Sequence, residues 1–141
     1  MTKSPPDAAD KVAKTDAQWG SELTPEQYYI TRQHGTERAG SSPLNQEKRQ
    51  GEFACVCCGE PLFSSKAKFD SGSGWPSFDK PANGEVVSEH EDRSHFMTRT
   101  EVRCARCEAH LGHIFPDGPP ETTGLRYCIN GGALKFKPTE T

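Results

Sequence analysis

The 141-residue chain lacks any long apolar run: nothing approaches the about 20 residues of a membrane span, and its first twenty residues hold no leader-like apolar stretch. A soluble, cytoplasmic protein without a membrane partner is the expectation. A basic block is missing too. Lys and Arg total 17 against 20 Asp and Glu, for a net charge of -3, so no general pull draws the chain to nucleic acid. With hydrophobic side chains at 32% and aromatics at 9%, only a modest core is available, enough for one domain. The 13 glycines and 11 prolines, many for a helical protein, are scattered through the middle and end as punctuation between short segments, which favours a β-rich fold. No internal repeat occurs. The first 17 residues, "MTKSPPDAADKVAKTDA", are polar and proline-bearing and read as a flexible tail, leaving residues 18–141 as a single domain, expected to be monomeric.

The clearest helix signal is "LTPEQYYITRQHG". Thr24 is an N-cap, Pro25 fits the first turn, Gln27 completes a capping box and Gly35 ends the run, predicting a helix from Pro25 to about Gln33. Further on, "HFMTRTEVRC" alternates: Phe96, Thr98, Thr100, Val102 and Cys104 fall on one face, Met97, Arg99, Glu101 and Arg103 on the other. This predicts a strand. "EVVSEH" and "LRYCINGGALKF" read as further strands.

Six cysteines stand at 55, 57, 58, 104, 107 and 128. Cys55 with Cys58, and Cys104 with Cys107, make two C-x-x-C pairs, and four thiolates from two such turns complete a tetrahedral zinc shell. Gly59 suits a tight knuckle, because a residue without Cβ takes positive φ freely. Paired disulfides or a redox C-x-x-C are the alternatives; the missing secretion signal and the matched pairs weigh against both. His110 and His113 in "CARCEAHLGH" are also possible ligands, but an all-thiolate site uses two equal turns and leaves them free. One structural Zn2+ is therefore expected.

Cys57 and Cys128 remain. On a strand, Arg126, Cys128 and Asn130 share a face, setting a thiol between a cation and an amide. A nearby positive charge raises the thiolate fraction, so Cys128 is a candidate nucleophile; a buried structural cysteine is the other reading.

"DSGSGWPSF", "RCARCEAHLGHIFPDGP" and "RYCINGGALKF", together with "HGTE" at 34–37, resemble the signature blocks of the methionine sulfoxide reductase B family, over residues 22 to 136. The resemblance implies two antiparallel sheets with short N-terminal helices, a mainly β (α+β) fold, and reduction of the R epimer of methionine sulfoxide, free or in proteins, as repair of oxidative damage. It implies Cys128 as nucleophile, His110 and His113 as active-site histidines, Arg126 and Asn130 as polar flanks and Trp75 as the indole that receives the substrate methyl. Cys55, Cys58, Cys104 and Cys107 match the zinc ligands. The chemistry fits these residue types: a histidine near neutral pKa can protonate the sulfoxide oxygen, and a thiolate can attack the sulfur and become a sulfenic acid.

The chain departs from many members where a resolving cysteine would stand, since position 73 is Ser73. A serine cannot form the usual disulfide, so thioredoxin or a small thiol is expected to reduce Cys128 directly. Cys57, inside the knuckle, is not expected to reach it. Small residues at 131 and 132 are a milder departure that has no interpretation at this level. Two other classes compete: a zinc-ribbon binding module, and a binding or chaperone protein of the same fold. Neither gives a reason to keep Cys128, His110, His113 and Trp75 together.

Overall fold

Two capping boxes open the fold. Thr15 caps α1 (Asp16–Glu22) by accepting from the Gln18 amide while the Gln18 side chain accepts from the Thr15 amide, and Thr24 with Gln27 repeats the device on α2 (Pro25–Arg32). The structure, a computed structural model, describes residues 14–94 and 97–139. The predicted α2 is present. The stretch read as a tail, however, ends too late, since Asp16 and Ala17 are already helical: Thr15 is a cap and Trp19, 1% exposed, anchors the helix in the core. The rest of that stretch, residues 1–13, lies outside the described residues. The left-handed residue that turns the chain after α2 is His34 (φ 56), not Gly35. Gly35 is needed for a different reason: a Cβ there would overlap the Tyr29 ring.

Among the described residues nine strands follow: β1 (Gly51–Cys55), β2 (Pro61–Ser64), β3 (Lys68–Phe69), β4 (Ser77–Phe78), β5 (Val87–Asp92), β6 (Arg99–Cys104), β7 (His110–Phe115), β8 (Arg126–Ile129) and β9 (Leu134–Pro138). They form two antiparallel sheets, one of order β2-β1-β9 and one of order β3-β4-β8-β7-β6-β5. The alternation in "HFMTRTEVRC" holds over β6, which begins at Arg99; residues 95 and 96 lie outside the described residues. "LRYCINGGALKF" is not one strand. A 3-10 turn over Gly131–Ala133 breaks it, sending β8 to the large sheet and β9 to the small one.

The core lies between the sheets. Phe63 of the small sheet stacks on Phe78 of the large one (centroids 4.4 Å apart), Phe53 meets the same ring edge-on at 5.1 Å, and Tyr127 packs on Phe63 at 5.9 Å. Each buried Phe contributes about 1.5–3 kcal/mol. The inward face of the large sheet supplies Phe78, Val102, Tyr127 and Ile129, all buried. The opposite face therefore carries Glu101, Arg103, Arg126 and Cys128. α2 lies against β7 and the Gly131–Ala133 turn, with Ile30 fully buried.

Gly112 of β7 faces the β8 backbone with no room for a side chain. A Cβ there would overlap the Cys128 carbonyl oxygen and lie 3.0 Å from the Ile129 Cα. Those atoms belong to a paired strand that cannot retreat, so Gly112→Ala should cost about 1–3 kcal/mol. Urea unfolding should show a lower midpoint at unchanged slope; an unchanged midpoint would show that the ladder yields.

Candidate active site

The two C-x-x-C turns are near copies. In the first, the Gly59 amide donates to the Cys55 carbonyl (2.8 Å) and the Cys55 amide to the Glu60 carbonyl (2.8 Å); in the second, Glu108 donates to Cys104 (2.7 Å) and Cys104 to Ala109 (2.9 Å). Gly59 has φ 84, as expected, and its counterpart Glu108 has φ 64. Cys55 Sγ lies 3.6 Å from Cys107 Sγ, and Cys58 Sγ 3.6 Å from Cys104 Sγ, with all four sulfurs within 4.8 Å of one another. A tetrahedral ion bound at about 2.3 Å needs sulfurs about 3.8 Å apart, so the four cysteines are positioned to hold a metal ion. Arg32 Nη2 donates to the Cys107 carbonyl (2.9 Å) and reaches its sulfur at 3.7 Å, tying α2 to the cluster. Cys57 sits among Cys107, Cys55 and Thr31, surroundings it does not share with Cys128.

His110 and His113 take no part in this cluster. Three residues apart, they would face opposite ways on a regular strand. A β-bulge prevents that. Val102 pairs with Gly112 but Arg103 pairs with His110, so Leu111 is an extra residue on β7 and the alternation changes phase there. Both rings consequently stand on one face, with centroids 5.5 Å apart. His113 is directly opposite Cys128 on β8. Each imidazole has a carboxylate partner from another strand of the sheet: His110 Nδ1 lies 2.7 Å from Glu101 Oε2 on the adjacent β6, and His113 Nε2 lies 2.8 Å from Asp92 Oδ2 on β5, two strands away.

Cys128 and Arg126 share a face, as the strand pattern requires. Arg126 is held by two bonds to Asp117 (2.9 and 3.2 Å) and lies 4.4 Å over the Phe115 ring. Burial pushes the Cys128 thiol above its ordinary range, and this outweighs the opposing pull of the Arg126 charge and of a hydrogen bond from the Ser73 hydroxyl. The expected net thiolate enrichment is therefore corrected: Arg126 moderates a thiol that burial keeps protonated. Ser73 belongs to a hydroxyl chain, with Ser71 Oγ 2.8 Å from Ser73 Oγ and 2.7 Å from Ser77 Oγ, and Ser77 is the partner of Cys128 on β4.

Glu37 links the remaining parts. Its carboxylate, 5% exposed with its residue, accepts from the Gly131 and Gly132 amides (both 2.8 Å); its amide donates to Asn130 Oδ1 (3.0 Å), and its carbonyl accepts from Trp75 Nε1 (3.1 Å). Burial raises the Glu37 pKa against those amide bonds. Asn130 Nδ2 donates to the carbonyl of the bulge residue Leu111 (3.0 Å). Both ends of the Asn130 amide are thus engaged with backbone. The small residues at 131 and 132 now have a reason: a Cβ on Gly131 would overlap Ser42, and one on Gly132 would come within 2.6 Å of Ile30 Cδ1.

Sequence reasoning missed Glu37, Asp92, Glu101 and Asp117. Glu37 and Asp117 lie within the quoted motifs, but Glu37's partners are more than ninety residues away, and Asp117 meets Arg126 only across the turn between β7 and β8. Nothing local distinguishes Asp92 from a surface carboxylate.

A half-buried thiol paired across the strands with His113, sharing its face with His110 and a fixed arginine, on a two-sheet fold with four cysteines positioned for a metal ion, forms a candidate thiol-dependent active site. The SelR domain model matches residues 23–138, and the chain belongs to that family. It is 54% identical over 132 residues to "Peptide methionine sulfoxide reductase MsrB" of Chromohalobacter salexigens, covering 94% of this chain and 99% of the relative. Proteins of the same name from Agrobacterium fabrum (56% over 128 residues; 91% and 94% covered) and Acinetobacter baumannii (57% over 130 residues; 92% and 93%) are similarly close. The solved Mis18 'Yippee-like' domain resembles the fold alone, with a TM-score of 0.53 at 17% identity over 66% of this chain and 100% of that one.

Two measurements check the site. Cys104→Ser should lose the metal and, with it, several kcal/mol of stability, because metal binding is coupled to folding; a metal-loaded variant with wild-type stability would contradict the four-thiolate assignment. Alkylation of Cys128 should accelerate with pH up to and beyond 9, and Arg126→Met should slow it about tenfold at pH 8 by removing the one opposing charge.

Proposed function

We infer that the protein is a peptide methionine (R)-S-oxide reductase. The observation that carries this is the cross-strand pairing of Cys128 with His113, on the face to which the Leu111 bulge also turns His110. Family membership and relatives at 54–57% identity supply the substrate class. The binding-module and chaperone alternatives give no account of that pairing.

In the proposed reaction, Cys128 passes its proton to a histidine, and the histidine delivers it to the sulfoxide oxygen. The thiolate attacks the sulfur as that proton arrives. The sulfur–oxygen bond breaks, methionine departs with its sulfur reduced by two electrons, and the hydroxyl remains on Cys128 as a sulfenic acid, two electrons more oxidised. No external acid is needed, because the proton that leaves the thiol ends on the transferred oxygen. Trp75, its indole nitrogen committed to Glu37, offers a ring face for the S-methyl group; Arg126 limits the cost of forming the thiolate. Asn130 acts through the bulge it braces.

Ser73 cannot complete a disulfide, so two external thiols, from thioredoxin or a small thiol such as glutathione, regenerate Cys128 and release water and a disulfide. The four-cysteine site takes zinc, since four thiolates in tetrahedral reach suit that ion, and it supplies structure rather than chemistry. Free thiols suit a reducing, cytoplasmic setting, and no helix among the described residues is long and apolar enough to cross a membrane. Repair of oxidised proteins by a monomer is the corresponding cellular role.

With dithiothreitol and a blocked methionine sulfoxide, the R epimer alone should turn over, and Cys128→Ser should abolish it; inert, metal-loaded wild type would sink the assignment. After one turnover without reductant, mass spectrometry should find Cys128 heavier by one oxygen. An internal disulfide to Cys57 would instead mean that the knuckle moves.

A further inference from the structure

Glu101 is placed at the centre of an outer-face strand, where alternation predicts an exposed position, yet it is 4% exposed. Three cationic or protonatable side chains converge on it. Oε2 lies 2.7 Å from His110 Nδ1 and 3.0 Å from His34 Nδ1, and Oε1 accepts from Arg103 Nη2 at 3.0 Å. Its cross-strand neighbours are His113 on β7 and His90 on β5. The His34 ring covers the pair, 5.3 Å from the His110 centroid, and is presented by the left-handed backbone that follows α2. These atoms could also surround a cation, but every oxygen is already matched by a donor, and Arg103 brings a positive charge to the same carboxylate.

Resting on the reductase reading, we propose that Glu101 is a positioning residue for this reaction: it takes the Nδ1 proton of His110 and so fixes Nε2 as the basic nitrogen available to the thiol face. Three features support this. His110 is buried, which favours the neutral ring, and a neutral imidazole carries one proton whose site is set by the stronger acceptor. A carboxylate at 2.7 Å is that acceptor, and it stays ionised because bonds from Arg103 and His110 outweigh the burial that opposes ionisation. The third feature is the arrangement of the two dyads. His113 meets its carboxylate through Nε2 and His110 through Nδ1, so the two rings leave opposite nitrogens free, and only the Glu101 dyad is closed to solvent on both sides. His34 has a secondary part as a second donor that keeps Oε2 from turning away.

The test uses the full, metal-loaded chain, with nitrogen NMR of the imidazoles (His110 assigned by difference against His110→Asn) and kinetics of the R epimer. In wild type, His110 should show the Nδ1-protonated neutral tautomer. Glu101→Gln should convert it to a mixture and lower kcat by about tenfold to hundredfold with KM nearly unchanged, the range expected when the outer partner of a working histidine is removed. The pH profile should lose its dependence on a neutral His110. Wild-type His110 in the Nε2-protonated form overturns the proposal outright, even if Glu101→Gln fails to fold. So does a variant that keeps full kcat, or one that loses activity with the His110 signal unchanged, since a carboxylate needed only for packing would give that. Wild type without R-epimer turnover would sink the reductase reading instead, and the tautomer measurement would still report on Glu101.

Discussion

Everything at the active face depends on where β7 begins, and the four-sulfur cluster sets that point. Cys55 ends a strand of the small sheet and Cys104 ends a strand of the large one, so the four-sulfur cluster, and any ion held by it, would tie the sheets together at one edge of an otherwise modest aromatic core. The second knuckle is also the β6–β7 turn. Its geometry fixes the register in which β7 leaves, and one residue of mismatch in that register is the Leu111 bulge. The four-cysteine cluster in this way bears on which histidines face the thiol.

The bulge is held from the other side by "HGTE". His34 and Glu37, three residues apart, reach opposite walls of the site: one meets Glu101 and His110, the other meets Asn130, Trp75 and the paired glycines. With Gly40 bonded to Gly74, this segment and the serine-rich loop before Trp75 roof the outer face of the large sheet. Carboxylates can be buried there because each meets amides, imidazoles or a guanidinium rather than apolar side chains.

Much of this was legible in the residues. Equal spacing within two cysteine pairs marked the cluster, Thr-Pro-x-Gln marked α2, and period two put Cys128 and Arg126 on one face. α1 had the same Thr-x-x-Gln signal at Thr15 and Gln18, but it stood beside a polar, proline-bearing stretch whose composition pointed the other way. Alternation separated Glu101 from Val102 correctly, but the burial of Glu101 could not be read from it, since periodicity is blind to what a distant loop covers. The bulge left no mark in "HLGH" beyond a glycine, because register depends on two strands and a turn together. The break at Gly131–Ala133 was hidden for the same reason: two glycines signal close approach only once Ser42, Ile30 and Glu37 are known to be what approaches.

The hydroxyl chain of Ser71, Ser73 and Ser77 has an evolutionary meaning. Ser73 stands on a loop whose backbone is braced by its own side chains, and its hydroxyl eases the pKa of Cys128 downward against burial. Serine and cysteine codons differ by a single base, and the two side chains by one atom. Chains with cysteine at position 73 and chains with serine there are therefore neighbours in sequence space.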